Sequence, residues 1–195
     1  MKYKLSAIAD VSLGQTFRGK AEASDKSSGI KLVQIKDIKE GTLSTESLTY
    51  ADFDKKKLKV RILNGDLLLP LRGSRYEVSI LNIDDEEEIV TTTNQVAIIR
   101  PDLKKVSMKF LLCFFNSSIG RSALRRLNTG TTIPQINRNQ LASLEIEVPN
   151  KIAQMQLVEL YENWFEQKRI LQEIIENGEQ LVERAYAEIL KGKVD

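Results

Sequence analysis

Apolar side chains recur at heptad spacing from residue 151 to residue 191, in a segment that follows Pro149-Asn150, contains no proline and has as breakers only Gly178 within it and Gly192 just after it. One line of the repeat is Leu157, Trp164, Leu171, Gly178 and Ala185, and the next is Tyr161, Lys168, Ile175, Val182 and Ile189. A third line, Leu160, Gln167, Ile174, Leu181 and Glu188, widens the stripe. The pattern predicts one helix of roughly 60 Å at 1.5 Å per residue, far beyond the ~10 to 14 residues of an average globular helix. An apolar face of that length needs a partner helix.

The residues before Pro149 follow other periods. Leu5 to Leu13 opens with a short amphipathic stretch and gives way to a polar, glycine-containing segment from Gly14 to Gly29. Ile30 to Ile35 reads as a strand, and Val60 to Leu63 leads through the tight turn Asn64-Gly65-Asp66 into the apolar strand Leu67 to Leu71. Val78 to Ile83 and Ile89 to Ile99 are predicted to pair as a hairpin around the acidic run Asp84 to Glu88, with Pro101 closing it. Ser107 is a candidate N-cap for a helix to about Phe115, and Ile119 to Leu127 a second, basic helix carrying Arg121, Arg125 and Arg126. Gly130 to Pro134 reads as a loop, Asn137 to Leu141 as a helical turn and Leu144 to Val148 as an edge strand.

Composition narrows the chemistry. The 195 residues are 42% hydrophobic and 29% charged, enough for one packed domain plus an appendage. A net charge of +2 means that any nucleic-acid surface must come from uneven placement of charge. No apolar run reaches the ~20 residues of a membrane span, and the opening Met1-Lys2-Tyr3-Lys4 lacks a secretory core, so the expected location is cytoplasmic. There is no histidine and one cysteine, Cys113, in an apolar run that assigns it to the core. That removes histidine bases, Ser-His and Cys-His pairs and Cys-rich or His-ligated metal sites together.

Enzyme motifs fail on inspection. Gly14 to Lys20 has most of a phosphate-loop pattern, but Ala21 stands where a hydroxyl would hold magnesium, and a polar loop follows where a helix is required. Asp25, Asp37 and Lys39, or the run Asp84 to Glu88, could be imagined around magnesium, yet such spacings are common and consecutive acids favour a solvated turn. No catalytic residue and no metal ligand is expected.

Binding features remain. Arg72-Gly73-Ser74-Arg75-Tyr76 follows a strand and either presents two guanidiniums and an aromatic edge to a DNA groove or forms an ordinary solvated turn. Lys55-Lys56-Lys57 is a phosphate patch or a solvated face. Thr131, Thr132, Gln135, Asn137 and Arg138 offer sugar-phosphate contacts, or else cap and close their loop.

In order, these segments resemble the specificity subunit of type I restriction-modification systems over nearly the whole chain. The carrying residues are Lys4 to Ala9 with Gly14-Gln15-Thr16, then Asn64 to Leu69 with Arg72-Gly73-Ser74, then Thr93 to Pro101. Asn128 to Asn137, followed by Leu141, Leu144, Ile146, Val148-Pro149 and Gln154, is the most specific stretch.

The resemblance implies an α+β target recognition domain at 1–149 with a mixed, twisted, partly barrel-like sheet and short helices, and a dimerisation and spacer helix of coiled-coil type at 150–195. A full specificity subunit has two recognition domains and two long helices, so this chain looks like half of one. Its expected partners are double-stranded DNA, methyltransferase subunits, a motor/nuclease restriction subunit and a second copy of itself. The second copy would pair through Leu157, Tyr161, Trp164, Leu171, Ile174, Ile175, Leu181, Val182 and Ile189. S-adenosylmethionine, ATP and magnesium are expected only on the partner subunits. A non-enzymatic adaptor without a DNA role would also suit a heptad stripe on a binding module, and salt-dependent binding to duplex DNA separates the two.

Overall fold

The computed structural model describes residues 1–23, 25–73, 75–83, 85, 87–128 and 134–191. Two compact units result, Met1–Gln154 and a second that begins at Met155.

The first unit is α+β, as expected, with its strands divided among three open sheets. The largest is built from β2 (Ala9–Leu13), β4 (Gly41–Ser44), β6 (Leu67–Pro70), β7 (Ser79–Asn82) and β9 (Val96–Pro101), in the order β2-β9-β6-β7-β4. Its pairs are antiparallel except β4 with β7. A second sheet sets β3 (Ile30–Val33) between β5 (Thr49–Tyr50), antiparallel, and β8 (Ile89–Thr92), parallel. The third pairs β1 (Lys2–Lys4) with β10 (Glu145–Glu147).

One apolar cluster joins the two larger sheets: Val33 and Val90 come from the smaller, and Leu68, Leu81, Val96 and Ile98 from the larger. A satellite cluster of Ile30, Leu32, Ala51 and Ile89 is flanked by Phe17 and Phe53, whose rings meet edge to face at 5.2 Å. The short helices are α1 (Leu5–Ile8), α2 (Met108–Asn116), α3 (Ser118–Arg126) and α4 (Arg138–Ala142). Ser107 caps α2 by accepting from the Phe110 amide, as its position predicts. Cys113 is buried in α2.

The hairpin expected between residues 78 and 99 does not form. β7 pairs with β6 and β4, whereas β8 pairs with β3 in the other sheet. β8 is buried at every position and β7 at all but Asn82, so burial does not alternate and carries no information about which neighbour they take. Asp84 and Glu86 of the connecting run lie outside the described residues. The single strand predicted from Ile89 to Ile99 is two strands separated by a turn at Thr93–Gln95.

α5 (Lys151–Leu190) is the 40-residue helix that the heptad pattern predicts. Gln154 fastens its first turn within the first unit. Its side-chain amide donates to the Pro149 carbonyl at 2.9 Å, and its carbonyl oxygen accepts from the Ser107 amide at 2.9 Å. Among the described residues no helix is long and apolar enough to cross a membrane.

Candidate nucleic-acid interface

Two chain segments 63 residues apart build one surface. Leu71, buried at the end of β6, donates its amide to the Gln95 carbonyl at 2.8 Å and accepts from the Ile136 amide at 3.0 Å. The next step brings the Gly73 amide to the Pro134 carbonyl at 3.2 Å, and Arg72 bridges Gln135 in antiparallel register. Gly73 sits at φ +105°, a conformation costly for any residue with a side chain, and this turns the loop back on itself. Leu71 and Ile136 point into the core while Arg72 and Gln135 are exposed. Directly opposite residues of an antiparallel pair share a face with Cβ atoms ~5 Å apart, so the Arg72 and Gln135 side chains leave the backbone on one face.

The end of α3 joins them. The side-chain oxygen of Asn128 accepts from the Gln135 amide at 2.8 Å, which ties the residues after α3 to this loop. Arg125 and Arg126 are exposed in the last turn of α3, where cations also suit the helix dipole. The Arg125 charge acts on the Tyr76 hydroxyl. Arg121, the third basic residue of this helix, instead pairs with Glu40 at 2.9 Å. The basic pattern of α3 was visible in the sequence, but nothing local told that the residue Asn128 after it would bond the Gln135 loop.

The other predicted site residues divide. Arg75 is exposed, whereas Tyr76 is only 4% exposed and offers no aromatic edge to a groove. From Arg75 to Val78 the chain alternates out and in, and Tyr76 takes an inward position. Burial pushes its ionisation above the usual tyrosine range, with Arg125 pulling weakly the other way. Asn137 caps α4, accepting from the Gln140 amide at 2.9 Å, and Arg138 donates from Nε to the Val11 carbonyl at 2.6 Å. These two serve the fold through those atoms. Ser74, Thr131 and Thr132 lie outside the described residues.

Lys55, Lys56 and Lys57 form their own exposed 3-10 turn. Asp54 caps it by accepting from the Lys56 amide at 2.9 Å, and pairs with Lys57 at 3.6 Å. The Phe17 contact with Phe53 holds the segment bearing exposed Arg18 and Lys20 against the residues that lead into this turn.

Several polar motif residues are consumed by the fold. Asp66, buried after the Asn64-Gly65 turn, forms a two-pronged pair with Arg100, Oδ1 to Nε at 2.8 Å and Oδ2 to Nη2 at 2.7 Å, and also accepts from the Leu63 amide at 2.8 Å. The bonds to Asp66 raise the Arg100 guanidinium above its ordinary pKa. The pair clamps β9 to the turn before β6 with charge-assisted bonds. Gly14 is equally structural. A Cβ there would lie 2.3 Å from the Thr93 carbonyl oxygen, and the amides of Gly14 and Gln15 already donate to Val96 and Thr92 at 3.1 and 2.7 Å. Those amides are not free to cradle a phosphate. Asp25 and Asp37 accept from the nearby backbone amides of Ser27 and Gln34, and no group able to hold a metal ion occurs among the described residues.

The sequence model described as type I restriction modification DNA specificity domain matches residues 1–178, and the chain belongs to that family, whose members recognise DNA and do not catalyse. Comparison with curated protein sequences finds no significant match. Among solved structures, a chain of a type I R-M system studied for its complex assembly and conformational transition is similar at a TM-score of 0.75 and 16% identity, covering 100% of this chain and 46% of its own. The HsdS subunit from Thermoanaerobacter tengcongensis gives 0.63 and 15%, covering 100% and 45%. The type I restriction-modification S subunit from M. genitalium gives 0.60 and 15%, covering 96% and 45%. The chain therefore spans less than half the length of these structures.

Proposed function

We propose that the first unit reads one half of a bipartite duplex target through Arg72, Arg75, Gln135 and the last turn of α3. The bridge between Arg72 and Gln135 carries this reading, because it sets a guanidinium and a carboxamide on one exposed face. Those are the two groups that recognise guanine and adenine edges bidentately in the major groove. Arg125, Arg126 and the lysine turn Lys55–Lys57 supply phosphate contacts around them.

A second copy, joined through α5, supplies the other half-site. Two identical readers related by a two-fold axis select an interrupted palindrome, since the same side chains meet both half-sites. The exposed α5 stripe spans about 160° of the helix at 100° per residue, wider than the seam of a two-stranded coiled coil, and leaves apolar surface for methyltransferase subunits. Those subunits supply the S-adenosylmethionine chemistry, and a motor/nuclease subunit using ATP and magnesium joins for cleavage in the cytoplasm.

Salt titration of duplex binding tests the site. Arg72→Glu with Arg75→Glu weakens binding and flattens the plot of log affinity against log salt by about one unit per lost phosphate contact. A folded double variant with unchanged affinity and slope removes this loop from the interface. The purified chain with S-adenosylmethionine or magnesium leaves DNA unmethylated and uncut, and turnover that tracks with the chain overturns the recognition-only role.

A further inference from the structure

Two carboxamides at the tip of one turn are left unused by the fold. Residues 93–96, which link β8 to β9, close on themselves where the Val96 amide donates to the Thr93 carbonyl at 3.0 Å, and Asn94 and Gln95 stand exposed at the tip. Neither has a positive φ, so the turn needs no asparagine for conformational reasons. Their backbone groups are taken. The Asn94 amide donates to the Gln15 carbonyl at 3.1 Å, the Gln95 amide to Thr93 Oγ1 at 3.4 Å, and the Gln95 carbonyl accepts from the Leu71 amide at 2.8 Å. Among the described residues neither side-chain carboxamide makes a hydrogen bond.

The same bonds fix where the tip lies. Leu71 precedes Arg72, so one side of the turn abuts the loop that carries Arg72 and Gln135. On the other side Gln15, only 9% exposed, accepts the Lys59 amide on Oε1 at 3.2 Å, just past the Lys55–Lys57 turn. The tip is thus hydrogen-bonded between the two basic patches, and a duplex that touches both must cross it. Segments joined by such bonds lie ~4.8 Å apart, against a base-pair rise of ~3.4 Å, so the tip falls about one to two base pairs from Arg72.

Resting on the duplex reading above, we propose that the 93–96 turn is a second base-reading element, in which Asn94 and Gln95 select A·T pairs through N6 and N7 of adenine beside the base that Arg72 meets. A carboxamide sets a donor and an acceptor side by side, the complement of what adenine presents in the major groove. Being neutral, it displaces no counterion from a phosphate. The bonds on both sides hold the tip before DNA arrives, so little ordering is needed on binding.

The test begins with selection of binding duplexes from a random pool by the full wild-type chain. Each selected half-site carries a fixed A·T pair within about two base pairs of a fixed G·C pair. Asn94→Ala with Gln95→Ala loses the A·T preference about tenfold, while the salt slope of binding stays at the wild-type value because no phosphate contact is removed. Replacing that adenine by 7-deazaadenine removes N7 and leaves the pairing edge intact. The replacement weakens wild-type binding severalfold and binding of the double variant not at all, since the two changes delete one contact from opposite sides.

Selected half-sites without that A·T pair, or a folded double variant that keeps the preference, overturn the proposal. So does a double variant that loses affinity for all sequences alike with a flatter salt slope, which makes the turn a phosphate contact. Each of these leaves Arg72-dependent DNA binding standing. A wild-type chain without salt-dependent duplex binding overturns the duplex reading itself.

Discussion

The first unit and the long helix treat their chemistry in opposite ways. In the first unit most polar motif residues are spent on the fold: Asp66 on Arg100, Asn137 on the α4 amides, and Asn116 on both the amide and the carbonyl of Val78 at 2.9 Å. What is left outside is a small basic and amide-bearing set around Arg72. On α5 the apolar residues are the ones unspent, with Leu171, Ile174, Ile175, Leu181, Val182 and Ile189 all 53–69% exposed. In the sheets, then, the polar groups left exposed are those the core did not take up, and on the helix the exposed groups are apolar.

The sharpest way to break this contrast is to remove the unspent apolar surface. Leu171→Asn, Ile175→Asn and Val182→Asn in one chain each forfeit roughly 1.5–3 kcal/mol of burial per copy. Summed over two copies this exceeds the ~8 kcal/mol that holds a micromolar complex. The variant sediments as a folded monomer, and its affinity for a bipartite duplex falls to that for a single half-site. Retention of the dimer means that another face makes it.

Removing a spent polar group acts on stability instead. Arg100→Ala strands the Asp66 carboxylate, whose side chain is 2% exposed, with only the Leu63 amide for compensation. Breaking a buried ion pair from one side costs about 3–5 kcal/mol, and the half-exposed guanidinium places this pair near the lower figure. Urea unfolding reads the loss, while α5 self-association at concentrations where the chain stays folded is unchanged. A stability change below about 1 kcal/mol would mean that the clamp between β9 and the turn before β6 is idle.

How much of this could be read beforehand follows from how local each feature is. α5, the Ser107 cap and the Asn137 turn were legible because period and capping residues lie within a few positions of one another. β1, β4 and β5 were not: Lys2–Lys4 is exposed on every residue, and Gly41–Ser44 and Thr49–Tyr50 have no buried residue to mark a period. These edge strands exist because a distant partner offers them hydrogen bonds. The hairpin between 78 and 99 failed for the complementary reason, strands buried on both faces whose pattern marks no particular neighbour. The site shows the same division. Arg72 and Gln135 were named as separate candidates, but their pairing depends on Leu71 and Ile136 entering one core, and Arg125 joins them only through the fold.

Tyr76 gives the finest test of the line between spent and unspent groups. Its ring is spent, buried between exposed Arg75 and half-buried Glu77, yet its buried hydroxyl has no hydrogen-bond partner among the described residues. Tyr76→Phe therefore removes no bond and relieves the desolvation of an unpaired polar group, so stability changes by less than about 0.5 kcal/mol or rises slightly. DNA affinity and its salt slope stay at wild-type values, because no phenol faces the groove. The pH dependence has a definite sign. With its ionisation raised in the folded chain, Tyr76 contributes stability that is fully present below the unfolded tyrosine pKa near 10 and is lost as pH rises through the higher folded value. An absorbance titration of the folded wild type, compared with Tyr76→Phe, assigns the late-ionising phenol to this residue. A large loss of DNA affinity in the folded phenylalanine variant would move Tyr76 back into the interface and require the loop to open when DNA binds.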